Sequence, residues 1–354
     1  MTVDIAVIGA GMAGLTSAAQ LQQAGYQVVV VEKSRGVGGR VATRRLPGYR
    51  ADIGARYLEA GGRLLPLLIE ILQDRGILQL WSNVSHRWDD GFVVESSLPR
   101  YVAPDGMNAI GKFLARGMRV WLSRRLQQLT PQDDGTWHLS LEATNGTSDA
   151  PLDLSAQVVI VTVPAPQALP FLDDRAGVSE AFRANLAAVE YDPCITAIAR
   201  YTIDRSPPDW VSVDFPPETD LFWVGLDSSK RRNAPQPVFA IHSSAEFARS
   251  NLDTTDLDGL GRQLLDRAAH YLLPWLSEPE FLNVHRWRYA FTHRPWRQDC
   301  LATMTPLPLI CCGDWCGTRH IETALRSSLA AASIANSHLQ QEVLTPIRQV
   351  WRSL

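Results

Sequence analysis

Gly9-Ala10-Gly11-Met12-Ala13-Gly14 constrains this chain more than any other stretch, because of what flanks it. Val3 to Ile8 is apolar and β-branched, as a central strand buried on both faces requires, and Leu15 to Ala24 has helical composition. The glycines therefore stand at a strand-to-helix turn. There Gly9 permits a tight bend, Gly11 lets backbone approach a diphosphate, and Gly14 lets helix and strand pack closely, while free N–H groups at the helix start face phosphate, with Met12 and Ala13 among the cofactor-binding candidates. Gly25 ends the helix and Tyr26 to Val31 reads as the next strand. Glu32 closes it about twenty residues past the glycines, where a carboxylate accepts from a ribose hydroxyl. An acid at that point disfavours a phosphorylated ribose, which leaves FAD or NAD as the dinucleotide.

The next residues separate those two. Glu32-Lys33-Ser34-Arg35-Gly36-Val37-Gly38-Gly39-Arg40 resembles the signature of flavoprotein amine oxidases, in which a Gly-Gly-Arg loop lies over the FAD diphosphate. Lys33 belongs to this nucleotide loop, and Arg40 would bring a planar bidentate cation to phosphate or ribityl oxygens. NAD dehydrogenases have no such second loop, so the resemblance implies non-covalently bound FAD. Further on, Asp52-Ile53-Gly54-Ala55-Arg56-Tyr57 resembles the Asp-x-Gly-Ala-x-Tyr segment of the renalase branch of the amine oxidase superfamily. That segment passes the inner side of the flavin. Gly54 and Ala55 would admit the isoalloxazine, with Arg56 or Tyr57 touching it by side chain.

The resemblance continues to the carboxyl end. Leu309 to Cys312 is a short apolar run followed by Gly313-Asp314-Trp315, and Ile321-Glu322-Thr323-Ala324 opens a helix through Leu339. This is similar to the terminal FAD motif of the superfamily, which implies that Asp314 meets the ribityl chain and that Glu322, Thr323 and Ala324 lie at a helix N-terminus aimed at the flavin pyrimidine. A helix dipole stabilises negative charge there. The chain departs from relatives at Thr323 and Ser328, where glycine is common, and at Arg326, where a small or apolar residue is. Gln157 to Val163 looks like the strand returning to the dinucleotide domain, leaving Thr162 beside the cofactor, and the strand near Leu126 would offer backbone to the adenine.

These motifs imply an α/β fold with a discontinuous Rossmann-type FAD domain over 1–60, 101–165 and 300–354. A mixed-sheet α+β substrate domain takes 61–100 and 166–299. Between the motifs, Pro66 to Asp74, Ser179 to Glu190 and Asp253 to Leu273 have helical spacing, and Asp105 reads as a cap for a helix through Leu114. Trp81 to Glu95 reads as a hairpin, and Met118 to Leu129 and Thr136 to Ala143 as strands around Asp133-Asp134-Gly135. Ile195 to Thr202, Leu221 to Leu226, Val238 to Ser243 and Phe281 to Phe291 suit antiparallel strands. Lys230-Arg231-Arg232, just before Asn233 and Pro235, reads as a solvated turn.

His285-Arg286-Trp287-Arg288-Tyr289-Ala290 is similar to a segment of bacterial renalase-like proteins. On a strand, His285, Trp287 and Tyr289 share one face, making them the candidate substrate-facing residues. The family resemblance implies oxidation of isomeric, misreduced NADH and NADPH to the normal dinucleotide, by hydride transfer to flavin N5 with oxygen reduced to hydrogen peroxide. An amine oxidase, or another flavin oxidoreductase such as a carotenoid desaturase-like enzyme, is the alternative. A non-catalytic flavoprotein-fold binding module is a second. An amine oxidase would usually place a lysine near N5, and only Lys33, Lys112 and Lys230 exist.

A formal net charge of −3 over 354 residues, with 45% hydrophobic and 20% charged residues, describes a globular chain with no electrostatic reason to bind nucleic acid. The expected partner is a small molecule. No apolar run reaches the ~20 residues of a membrane span, and Met1 leads into the first strand without a signal peptide, so the cytoplasm is expected. The five cysteines follow no metal-ligand spacing, which points to no metal.

Overall fold

The computed structural model describes residues 1–89, 91–144, 152–318, 320–340 and 342–354, and builds them around two sheets. At the centre of the first is β1 (Thr2–Ile8), with β2 (Val28–Val31) parallel on one side and β11 (Asp153–Val161) parallel on the other. Beyond β2 lies β8 (Arg119–Trp121). Beyond β11 lie β18 (Leu309–Cys311) and β17 (Leu301–Thr303), and β10 (Trp137–Ala143) with β9 (Arg124–Pro131) extends β11 antiparallel. The central strands are apolar at nearly every position because both faces are covered. One face carries α1 (Met12–Gln23) and α8 (His320–His338). The other carries β9, β10, α4 (Ala165–Ala168) and α5 (Glu180–Ala187), the last capped by Ser179.

The second sheet contains β16 (Phe281–Arg294), β12 (Glu190–Arg200), β15 (Val238–Ser243), β14 (Leu221–Leu226), β13 (Ser212–Asp214), β6 (Gln79–Trp88), β7 (Phe92–Val102) and β5 (Leu58–Glu59), in that order. Its outer face is packed by α6 (Ala245–Ser250) and α7 (Leu257–Tyr271), the latter capped by Asp256. Its inner face meets the hairpin of β3 (Thr43–Leu46) and β4 (Tyr49–Asp52) and the segment that follows it. The two sheets thus face each other across residues 40–57.

Several expectations need correction. Asp105 caps nothing: α3 (Asn108–Leu114) starts after Met107 with no side-chain cap, and Asp105 offers only its carbonyl, to Arg50. The run 118–129 is two strands, because Ser123 at φ 57° breaks it. The domain boundaries also shift. α2 (Leu65–Asp74) packs on α8 and α9 (Ile347–Ser353) beside the first sheet, and the segment 165–189 covers that sheet's other face. The second sheet instead begins at Leu58.

The largest correction concerns Lys230 and Arg231. Rather than a solvated turn, they form a buried cluster with Asp52 and Asp227 in which Lys230 and both carboxylates are fully enclosed. Lys230 Nζ stands 3.4 Å from Asp52 and 3.0 Å from Asp227, and Arg231 Nη2 is 2.8 Å from each. Asp52 also accepts from Thr43 Oγ1 and from the Met107 amide. Burial opposes its ionisation, but Lys230, Arg231 and these hydrogen bonds outweigh it and hold its carboxyl below the usual range. The cluster pins β4, the loop before α3 and the loop after β14 at one point.

Candidate flavin site

The glycine turn follows directly from β1. Gly9, at φ 108°, receives a lateral hydrogen bond from Thr162 Oγ1, which can donate to the Ile8 or Gly9 carbonyl at 2.9 or 3.1 Å. Gly14 packs so tightly that a methyl group on it would overlap the Gly9 carbonyl oxygen. Glu32, buried at the end of β2, accepts from the Ala10 amide and the Ser34 amide, both at 2.8 Å. Each oxygen keeps a second lone pair for a ribose hydroxyl. Lys33 reaches Gln167 at 2.9 Å, and burial lowers its pKa. Leu126 is buried in β9, whose first residue, Arg124, donates its amide to the Glu32 carbonyl.

The second glycine loop lies against the first. The Gly38 amide donates to the Ala10 carbonyl at 2.8 Å, and a methyl on Gly39 would stand 3.2 Å from Gly11 Cα. Glycine suits both positions: Gly38 adopts a φ of 116°, and at Gly39, with a φ of 57°, any side chain would press on Gly11. Arg40 then crosses to the carboxyl-terminal motif. Its Nη2 donates to Asp314 at 2.6 Å and its Nη1 to the Tyr289 and Ala290 carbonyls. Burial works against the Arg40 charge, and Asp314 more than offsets it, so the guanidinium is held charged.

Residues 51–57 run beneath Arg40. The Ala55 amide donates to the Arg40 carbonyl, and a side chain on Gly54 would overlap that same carbonyl while touching Trp287. Trp287 Nε1 in turn donates to the Ile53 carbonyl at 2.7 Å. Three segments more than two hundred residues apart at the extremes thus meet at Arg40, Gly54 and Trp287.

Not every candidate side chain is free for a ligand. The Glu322 carboxylate accepts from the amides of Arg63, Leu64 and Leu65, so it closes the start of α2 rather than facing a cofactor. What remains for a flavin at that point is the first turn of α8, with Thr323 and Ala324 buried in it. His285 is engaged as well: Arg44 lies 3.4 Å from its Nδ1 while donating to Asn283 at 2.7 Å. Tyr289 contributes its carbonyl, and its ring meets Tyr191 edge-on. Arg56 and Tyr57 turn toward the second sheet, where Arg56 pairs with Asp214 at 3.1 Å and Arg100 stacks 4.4 Å from the Tyr57 ring.

Burial and the Arg44 charge depress the His285 pKa to about 4. An unfolded imidazole takes up a proton near pH 6.5, whereas this one does not until about pH 4. Its contribution is therefore complete above about pH 6.5 and is lost as pH falls toward 4. Urea midpoints should decline over that window, and His285→Gln should flatten part of the slope.

Sequence reasoning missed Arg44, Asn283, Asp214, Phe222, Phe291 and Ser327. Ser327 Oγ holds both the amide and the carbonyl of Gly313, fixing the loop that presents Asp314. It is the eighth residue of α8, where the sequence gives no sign of that duty.

Comparison with known proteins agrees with this construction. Residues 7–71 match the model of the NAD(P)-binding Rossmann-like domain, and residues 81–336 that of the flavin containing amine oxidoreductases. The chain belongs to the flavin-containing amine oxidase family: an FAD-binding oxidoreductase. Among curated proteins it is similar to "Putative flavin-containing monoamine oxidase AofH" of Mycobacterium tuberculosis, 31% identical over 158 residues, which are 41% of this chain and 34% of that protein. It is also similar to an L-amino-acid oxidase of Crotalus adamanteus, 44% identical over 61 residues, 17% of this chain and 12% of that one. The matches thus span about a third or less of these relatives' length. A putrescine oxidase solved with putrescine shares the fold at a TM-score of 0.70 and 16% identity, covering 94% of this chain and 99% of that one. Cyclohexylamine oxidase from Brevibacterium oxydans does so at 0.69 and 14%, covering 95% and 99%.

Proposed function

We propose that this chain is a cytoplasmic, renalase-like oxidase that takes hydride from isomeric dihydronicotinamide dinucleotides and returns the normal oxidised dinucleotide, with oxygen as the final acceptor. FAD, when bound, supplies the hydride acceptor and passes the electrons to oxygen. The chain's own residues would hold and orient it: Arg40 and Asp314 the ribityl and diphosphate oxygens, Gly54 and Trp287 the ring, and the first turn of α8 negative charge on the pyrimidine.

The observation that carries the reading is the state of the basic groups. Lys230, the lysine of the second sheet's connections, is sealed between two aspartates. His285 accepts from Arg44. No proton acceptor has to be supplied when the product is an aromatic pyridinium, so a dihydronicotinamide suits a site built this way. The family membership favours a second reading, oxidation of an amine.

An anaerobic titration of the purified protein separates the two. Isomeric dihydronicotinamides should bleach the visible flavin band within seconds, while ordinary NADH and a panel of amines leave it. Bleaching by amines alone would replace the reading with the second one.

A further inference from the structure

Arg56 stands between Ala55 and Tyr57, on the segment that carries Gly54. Its guanidinium carbon lies 4.7 Å from the Phe222 ring centroid, 5.1 Å from Tyr57 and 5.6 Å from Trp223. Phe222 meets Phe291 at 5.6 Å, and Phe291 meets His320 at 5.6 Å, at the start of α8. A shelf of aromatic rings therefore runs from the segment that carries Gly54 to the helix expected to face the flavin pyrimidine, with a guanidinium at one end.

The hydrogen-bonding capacity along this shelf is lopsided. Arg56 has five N–H donors and engages Asp214 with one; the others have no acceptor among the described residues, and the side chain keeps 21% of its exposure. One Asp214 oxygen accepts from Arg56 and the other from Arg100. Arg100 is in turn paired with Glu59. An ammonium arriving on the shelf would meet the charge of Arg56, beside a carboxylate already shared by two guanidiniums. An anion would meet open, planar donors already braced by three rings. Burial lowers the pKa of His242 and of His320, and the Arg56 field adds to it at both.

We infer that Arg56, with Phe222 and Phe291, is a specificity-determining site that selects substrates carrying an anionic group, carboxylate or phosphate, next to a planar ring. This deepens the proposed function, since a dinucleotide is such a molecule, but its test uses no dihydronicotinamide. The oxidised holoprotein is titrated anaerobically with benzoate, benzamide and benzylamine, three rings of one size and different charge, following the perturbation of the flavin band. Benzoate should bind about tenfold or more tighter than benzamide, with benzylamine weakest. Arg56→Gln should erase the preference of benzoate over benzamide, and Arg56→Lys should keep part of it. Phe222→Leu, which leaves the charge in place, should weaken both ligands alike. Equal binding of benzoate and benzamide, no perturbation by any of the three, tighter binding of benzylamine, or a preference that survives Arg56→Gln would overturn the assignment. If the benzoate preference holds while no dihydronicotinamide reduces the flavin, the substrate reading fails and the Arg56 site stands.

Discussion

Lys230→Met should cost about 3–5 kcal/mol of stability at neutral pH, the range for removing one partner of a buried ion pair. In the native protein two fully enclosed carboxylates, Asp52 and Asp227, are balanced by Lys230 and Arg231. Without Lys230 one guanidinium must serve both, and one negative charge is left uncompensated away from water. The double variant Lys230→Met/Asp227→Asn restores a one-to-one balance and should regain a large part of the loss. The effect also has a sign in pH. The native Asp52 carboxyl is held below the usual range, so its contribution is present above about pH 4 and is lost as pH falls through its depressed value. In the variant that carboxyl titrates higher and takes up a proton sooner. The gap between native and variant should therefore narrow as pH drops from 7 toward 4.5. Urea unfolding across that range is the measurement, and a variant within 1 kcal/mol of native at pH 7 would show that the cluster is not the clasp its geometry makes it.

This cluster also shows where sequence reasoning stops. Three basic residues before Asn233 and Pro235 carry every local mark of a solvated turn, and Asp52, which draws Lys230 and Arg231 inward, lies 178 residues from Lys230. The partners of the Glu322 carboxylate were out of reach for the same reason: the nearest, the Leu65 amide, lies 257 residues earlier, and nothing near Glu322 announces it. α2 displays an apolar stripe that predicts a helix correctly, but a stripe does not say which sheet it will cover. By contrast the glycine turn and the β1–α1–β2 unit were legible because backbone geometry leaves few residue types able to do those things, and the Gly-Gly-Arg loop through its resemblance to a flavoprotein signature. The shared face of His285, Trp287 and Tyr289 was legible from strand alternation alone. Which of the three is free for a ligand was not, because Arg44 and Ile53 come from another part of the chain.

Gly11→Ala and Gly14→Ala should fail in different ways, and the contrast tests the assignment of the turn. At Gly14 a methyl group would overlap the Gly9 carbonyl oxygen and stand 2.8 Å from Thr162 Oγ1, both parts of the rigid junction between β1, β11 and α1. Either α1 moves off the sheet or the Gly9 peptide turns, and overpacking of this kind costs about 1–3 kcal/mol. Because the same peptide shapes the cradle, FAD affinity should fall with stability, by roughly 10–100-fold on that scale. At Gly11 the backbone is extended, with φ −82° and ψ −174°, and a methyl group meets no protein atom within 4 Å. The apoprotein should then unfold at the native urea midpoint, yet bind FAD much more weakly, since in the proposed cofactor site a diphosphate would approach the first amides of α1 from that side. Flavin-to-protein ratios after reconstitution, set beside apoprotein urea midpoints, separate the two. A Gly11→Ala protein that takes up FAD as well as the native one would detach this turn from the diphosphate and move the cofactor's anchor to the Arg40 loop.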